Sequence, residues 1–142
     1  MTSSIPKEIK QSFLAFRNGI VADALRKAGM PYGIIFGLQL PQLSEIARAY
    51  EPDRELAEAL WADTGVRESR LLAAWLYPPE ALSPGRAAEM ALGALTREEA
   101  DILSFRLLRR HPQARAIADM IAAGASTPLQ AYAAEALDRN LG

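Results

Sequence analysis

The sequence predicts an all-α fold in which helical hairpins stack side by side into an α-α superhelix. Three observations predict it: apolar residues recur at the spacing of one helix face, prolines and capping residues divide the chain at short intervals, and one template of apolar positions is repeated. The single strand-like stretch runs from Tyr32 to Leu40 and contains Gly33 and Gly37. We interpret that stretch as an irregular loop, because the hairpin turns that accompany strands do not flank it.

The helices follow from this punctuation. Pro84 and Pro128 each follow a capping residue, Ser83 and Thr127, and stand where a first helical turn tolerates a missing N–H. Glycines and the Pro78-Pro79 pair mark helix ends. About eight helices are predicted, at 5–28, 41–50, 53–63, 66–77, 84–95, 97–110, 112–123 and 128–140.

The repeat appears when consecutive predicted hairpins are superposed. Residues 54–77 align with 86–109, and these align with 115–138. Leu60, Leu92 and Ile121 then share one position of the template. Neither helix of a hairpin can cover its apolar face alone, so three hairpins are expected to stack into a short right-handed arc. A helical bundle with chance matches at these spacings is the alternative.

Length and composition limit the function classes. The chain has 142 residues, is 50% hydrophobic and 23% charged, and carries a formal net charge of -1. These values predict one globular domain over 1–142. The absence of cysteine and the single histidine, His111, exclude disulfides and thiolate or multi-histidine metal sites, so no metal or cofactor is expected. With no apolar run of membrane-spanning length and no leader, we expect a cytoplasmic domain without membrane contact.

Arginines are concentrated near the end of the helix predicted at 97–110. On a helical wheel Arg106, Arg109 and Arg110 share with Ile102 the face away from the predicted core, and Phe105 flanks the core side. No acidic residue occurs from 102 to 118. Second helices of stacked hairpins line one side of the arc, so this row of arginines is expected to continue onto the preceding hairpin. We call the whole row the arginine lane. The predicted nucleic-acid-binding residues are Arg67, Arg70, Tyr77, Arg106, Arg109 and Arg110.

A solvated face is the alternative interpretation of these arginines. Arg109 and Arg110 would compensate a helix dipole, and Arg67 and Arg70 would pair with Glu68 and its acidic neighbours. Asp101 is the carboxylate beside the basic helix and therefore a weak catalytic candidate, with surface solvation as its alternative.

The remaining candidates are aromatic or imidazole side chains. Trp61 and Trp75 lie on apolar helix faces, which favours core packing over base stacking. His111 precedes Pro112 in a turn, where a capping or exposed position is expected.

Three segments resemble a known family. Residues 36–47 read FGLQLPQLSEIA, residues 56–61 read LAEALW, and residues 67–73 read RESRLLA. These segments are similar to the motifs of the DNA alkylation repair family, the AlkD-type glycosylases, and the match is best over 36–77. The resemblance implies a superhelix of HEAT-like repeats, of the ARM type, whose concave positive face holds duplex DNA carrying alkylated bases.

The resemblance also implies where catalysis should be. The family uses an aspartate with a tryptophan one turn before it, on the helix that corresponds to 97–110. In this chain Ser104 and Ala100 stand at those places, and Asp101 lies on another side of the helix. The later family helix with an arginine reads LQAY at 129–132. These departures argue against glycosylase activity.

Three functions remain open from the sequence. The first is nucleic-acid binding through the arginine lane without excision, with alkylated DNA as a candidate ligand. The second is a protein-binding scaffold for an acidic partner. The third is a reduced glycosylase that uses Asp101. A homodimer formed through the alanine-rich last helix, Ala131 to Leu137, is also a prediction.

Overall fold

The computed structural model describes residues 5–142, and the all-α prediction is confirmed over them. Nine α-helices and two short 3-10 turns make up this part of the chain. The residues divide into two compact units, Met1–Tyr77 and Pro78–Gly142. Each unit is described by itself below. None of the helices in 5–142 combines the length and the apolar composition that a membrane crossing requires.

The first unit contains five helices. They are α1 Lys7–Ala15, α2 Gly19–Lys27, α3 Leu40–Ala47, α4 Arg54–Ala62 and α5 Arg67–Leu76. The prediction of a single helix at 5–28 is wrong, because the helix is interrupted between α1 and α2. The side chain of Asn18 accepts the backbone N–H groups of Ile20 and Val21 and so begins a new helix. Ile20 in α2 is 84% exposed, whereas Phe13 in α1 is fully buried.

The helices of the first unit are positioned around α5. Helix α4 begins at Asp53, whose carboxylate accepts the N–H of Leu56, and it packs along α5. Helix α3 packs on α5 as well. The segment between α2 and α3 is irregular, as predicted, and pairs with the start of α5 through a single parallel bridge between Ile34 and Val66.

The second unit contains four helices in two hairpins. They are α6 Pro84–Leu92, α7 Arg97–Arg106, α8 Ala114–Gly124 and α9 Pro128–Asn140. Ser83, Thr96 and Thr127 cap three of them, each accepting the N–H of the third residue of its helix. The 3-10 turns are Pro79–Ala81 and Leu108–Arg110.

The two hairpins of the second unit stack as the repeated template predicts. Helix α6 packs on α8, and α7 packs on α9, so that first helices meet first helices and second helices meet second helices. The shared core includes the fully buried side chains of Met90, Leu103, Ile121 and Leu137. This register fixes which side of α7 faces solvent.

Candidate nucleic-acid interface

Half of the predicted arginine lane lies in the interior of the first unit. Arg67 is 3% exposed; its guanidinium donates to the carbonyl oxygen of Leu38 at 3.0 Å and to Glu68 Oε2 at 2.7 Å. The surface position predicted for Arg67 is therefore wrong. The pairing of Arg67 with Glu68, which the alternative interpretation gave, is present as a buried ion pair.

Arg70 and Tyr77 are buried as well. The guanidinium of Arg70 lies 3.5 Å from the centroid of the Trp61 ring and donates to the carbonyl oxygen of Trp61. The hydroxyl of Tyr77 donates to Glu58 Oε2 at 2.8 Å. These positions correct the predicted lane. The reason is that α5 lies between α3, α4 and the irregular segment, so both its polar and its apolar residues are enclosed.

The motifs that carry the family resemblance contact each other. Glu68 is fully buried, and its carboxylate accepts the backbone N–H groups of Phe36, Gly37 and Leu38 at 3.0–3.3 Å. The guanidinium of Arg67 donates to the carbonyl oxygen of Leu38 in the same segment. The motif residues Glu68 and Arg67 therefore hold the irregular segment against α5. They act as fold determinants and not as a DNA surface.

The other half of the predicted lane lies at the end of α7, where Arg109 and Arg110 are exposed and Arg106 is half-buried. The Arg109 guanidinium lies 4.0 Å from the centroid of the Phe105 ring, and its Nε donates to the Phe105 carbonyl oxygen at 2.6 Å. Arg110 donates to the Arg106 carbonyl oxygen at 3.2 Å. Both arginines thus satisfy carbonyls at a helix C-terminus, where the dipole favours cations. We call Phe105, Arg106, Arg109 and Arg110 the α7-end cluster.

The helical wheel placed two residues of this region on the wrong sides. Helix α7 ends at Arg106, and Leu108–Arg110 form a 3-10 turn, so the wheel over 97–110 does not apply to its last residues. Ile102 is buried and Phe105 is 46% exposed, the reverse of the sequence-based assignment. Arg106 is half-buried at the edge of the core side. Packing of α7 on α9 determines this orientation.

A second group lies along the exposed side of α7 and on α9. The Tyr132 hydroxyl donates to the Asp101 carboxylate, with 2.9 Å to each oxygen, and Arg139 approaches Asp101 Oδ1 at 3.7 Å. The guanidinium groups of Arg97 and Arg139 lie 4.8 Å and 5.3 Å from the Tyr132 ring centroid. The hydrogen bond to Asp101, followed by burial, raises the pKa of Tyr132 above its ordinary value.

Asp101, the weak catalytic candidate, is therefore engaged by a neighbouring phenol. Ala100 and Ser104, which stand at the places of the family's tryptophan and aspartate, are each 1% exposed. Sequence reasoning missed Phe105 and Tyr132. The signal that could have found Phe105 is its spacing of four from Asp101 and eight from Arg97, which puts all three along one side of a helix.

The remaining sequence candidates have structural positions. Trp61 is buried, and Trp75 is half-buried with its indole N–H donating to Ser44 Oγ at 3.0 Å. His111 is buried and caps the turn before α8: its Nδ1 accepts the N–H of Gln113, and its Nε2 donates to the Leu82 carbonyl oxygen. No cluster of three or more potential metal ligands is present within residues 5–142.

A solved structure shares this arrangement of helices. It is described as "a new family of proteins related to the HEAT-like repeat DNA glycosylases with affinity for branched DNA structures" and superposes with a TM-score of 0.82. This chain has the HEAT-like repeat fold. The alignment has 23% sequence identity and covers 95% of this chain and 56% of the solved chain. No protein-family model and no curated protein matches this sequence.

The HEAT-like match confirms, at the level of the fold, the resemblance found from segments 36–47, 56–61 and 67–73. Those segments build the hydrogen-bonded interior of the first unit. A likeness in them is therefore a likeness in fold-forming contacts.

Proposed function

We propose that this HEAT-like domain binds DNA through the α7-end cluster and does so without excising bases. The observation that carries the proposal is the exposure of Arg109 and Arg110 beside Arg106, in a stretch free of acidic residues from 102 to 118. The chain as a whole has a net charge of -1. Attraction to a polyanion therefore depends on this local concentration of positive charge.

The guanidinium groups of Arg109 and Arg110 retain donors for a ligand. A guanidinium carries five N–H donors in a planar fork. Arg109 and Arg110 each place one donor on a backbone carbonyl, which orients the side chain and leaves further donors for phosphate oxygens. Orientation by the helix end reduces the rotamer entropy that binding would otherwise cost.

The solved neighbour supports DNA as the ligand class. That protein is described as having affinity for branched DNA structures, and this chain spans 56% of its length. We therefore assign DNA binding, and not the activity of a whole glycosylase, to this chain.

Two features support binding without excision. Ala100 and Ser104 provide no carboxylate at the family's catalytic places, and both are enclosed by the core. Asp101 accepts the Tyr132 hydroxyl on both oxygens and faces Arg139, so part of its capacity to stabilise an oxocarbenium-like charge is already used.

The proposal is tested by a salt-titrated binding assay with undamaged and methylated DNA duplexes. Arg109→Gln/Arg110→Gln is expected to lower affinity at low salt at least tenfold and to reduce the slope of log K against log salt by about 2. The matched control is Arg26→Gln/Arg48→Gln, which removes two exposed arginines from the first unit. That control is expected to keep the wild-type slope.

Three outcomes would contradict the proposal. If the two double variants show the same slope of log K against log salt, the α7-end cluster is not the DNA contact. Release of a methylated base by the wild-type chain, lost in Asp101→Asn, would support the third hypothesis, a reduced glycosylase that uses Asp101. Capture of an acidic protein with no DNA affinity at any salt concentration would favour the scaffold. A homodimer through α9 gains no support, because Ala133, Ala136 and Leu137 are buried within the chain.

A further inference from the structure

The α7-end cluster contains an aromatic ring that the core does not use. Phe105 is 46% exposed, whereas its neighbours Leu103 and Leu107 are buried. The other exposed large apolar side chains described within 78–142 are the aliphatic Leu95 and Met120. Among these exposed apolar side chains Phe105 is the aromatic one, and the guanidinium groups of Arg106 and Arg109 lie beside its ring.

The ring and its cation form a fixed pair. Arg109 contacts Phe105 in two ways: its Nε donates to the Phe105 carbonyl oxygen, and its guanidinium stands over the ring. Arg106 also lies 5.7 Å from the same ring centroid. A planar cation stacked on an aromatic ring is an arrangement on which a nucleic-acid base can continue the stack.

A second ring extends this surface along α7. From Asp101, which accepts the Tyr132 hydroxyl, to Phe105 the helix advances about 6 Å. Tyr132 is also flanked by the guanidinium groups of Arg97 and Arg139.

The acidic residues of α7 precede its positive end. Asp101 is bonded to Tyr132 and faces Arg139, and Glu98 lies in the first turn of α7, about 10 Å before Phe105 along the axis. No acidic residue follows Asp101 until Asp119. The negative charges therefore lie toward the beginning of α7, and the positive cluster lies at its end.

We propose that Phe105 stacks on an unpaired base, so that the DNA preferred by this chain contains unpaired nucleotides. The inference rests on the proposed DNA-binding function and narrows its substrate class. In an intact duplex both faces of every internal base are already stacked, and an exposed phenyl ring has no base to contact. At a gap or flap an unpaired base can continue the stack of Phe105 and Arg109, while Arg110 donates to a flanking phosphate.

The test compares two DNAs of the same sequence, a full duplex and a duplex with a short single-stranded gap that contains 2-aminopurine. Wild-type protein is expected to bind the gapped DNA more tightly and to quench the 2-aminopurine fluorescence by stacking. Phe105→Ala is expected to lose roughly tenfold in affinity for the gapped DNA, with little change for the duplex, and to lose the quenching. Phe105→Trp is expected to retain both, and Met120→Ala, the exposed apolar control, is expected to behave as wild type.

The outcomes separate this inference from the function on which it rests. If Phe105→Ala leaves gap binding unchanged, or weakens both DNAs equally, while Arg109→Gln/Arg110→Gln weakens both, base stacking is refuted and DNA binding stands. If the wild-type chain binds neither DNA at low salt, both proposals are refuted. Phe105 is exposed, so circular dichroism of Phe105→Ala is expected to match wild type.

Discussion

At the scale of single residues, Gly37 shows how the backbone of the first unit constrains its sequence. Gly37 has φ +86°, in the left-handed region. A Cβ on Gly37 would lie 2.9 Å from the backbone nitrogen of Ala22 and closer still to the Asn18 carbonyl oxygen, at the start of α2. Both the backbone conformation and the close approach therefore require glycine at this position.

Gly37→Ala is expected to lower the free energy of unfolding by about 2–4 kcal/mol, because it adds backbone strain to a clash with backbone atoms. The measurement is urea denaturation. Gly85→Ala is the matched control: Gly85 lies in α6 with no positive φ, and nothing lies within 4 Å of its added Cβ. This control is expected to leave stability unchanged or slightly raised. Equal effects of the two substitutions would contradict the argument.

Whether the burial of a side chain could be predicted depended on how many helices and segments surround it. Trp61 was correctly assigned to the core from its own helix face. Arg67 and Arg70 were assigned to solvent by superposing their hairpin on the next one, and neither this superposition nor a helical wheel includes contacts with other segments. Their partners, the carbonyl oxygens of Leu38 and Trp61, come from other segments that the wheel does not contain.

At the scale of elements, the joint between α5 and the irregular segment depends on one carboxylate. Three consecutive N–H groups of that segment converge on Glu68, and Arg67 balances its charge. Removing one partner of a buried ion pair leaves an uncompensated charge. The segment would also lose acceptors for buried backbone donors, which carries a further desolvation penalty.

Glu68→Gln is expected to lower the free energy of unfolding by about 3–5 kcal/mol, since Arg67 would remain buried without its counter-charge. Glu45→Gln removes one carboxylate from the exposed pair with Arg48, whose side chains are 61% and 76% exposed. That control is expected to cost less than about 1 kcal/mol. Urea denaturation of both variants measures the difference. A small effect of Glu68→Gln would show that α5 does not depend on this carboxylate.

Helix ends were predicted well where a side chain caps them and poorly where packing decides. Ser83 and Thr127 stand immediately before α6 and α9, as their sequence patterns indicated. The end of α7 was placed four residues too late, because Leu107 and Leu108 continue the apolar pattern after the helix has changed to a 3-10 turn. The exposed position of Phe105 follows from that change and from the packing of α7 on α9.

At the scale of the whole molecule, the fold could be predicted because the same apolar template occurs in several hairpins of the sequence. Each apolar position of the template appears in more than one hairpin, so an error at one position does not change the predicted stacking. The candidate site occurs once, at one helix end. Its geometry depends on a turn type and on a packing angle, which no repeated pattern encodes.

The sequence also predicts a single domain over 1–142, and this prediction gives a whole-molecule experiment. Stacked hairpins bury their apolar faces against neighbours, so their unfolding is expected to be cooperative. Trp61 and Trp75, the two tryptophans of the chain, both lie in the unit Met1–Tyr77. Tryptophan fluorescence therefore reports on that unit alone, while far-ultraviolet circular dichroism reports on the helices of both.

In urea, the fluorescence and circular dichroism transitions are expected to coincide in midpoint and slope, because one cooperative domain unfolds as a whole. Gly37→Ala, a change in the first unit, is then expected to shift both curves together. A circular dichroism curve with a second step that fluorescence does not follow would show two independently folding units. In that case the α7-end cluster would belong to a domain of its own, formed by residues 78–142.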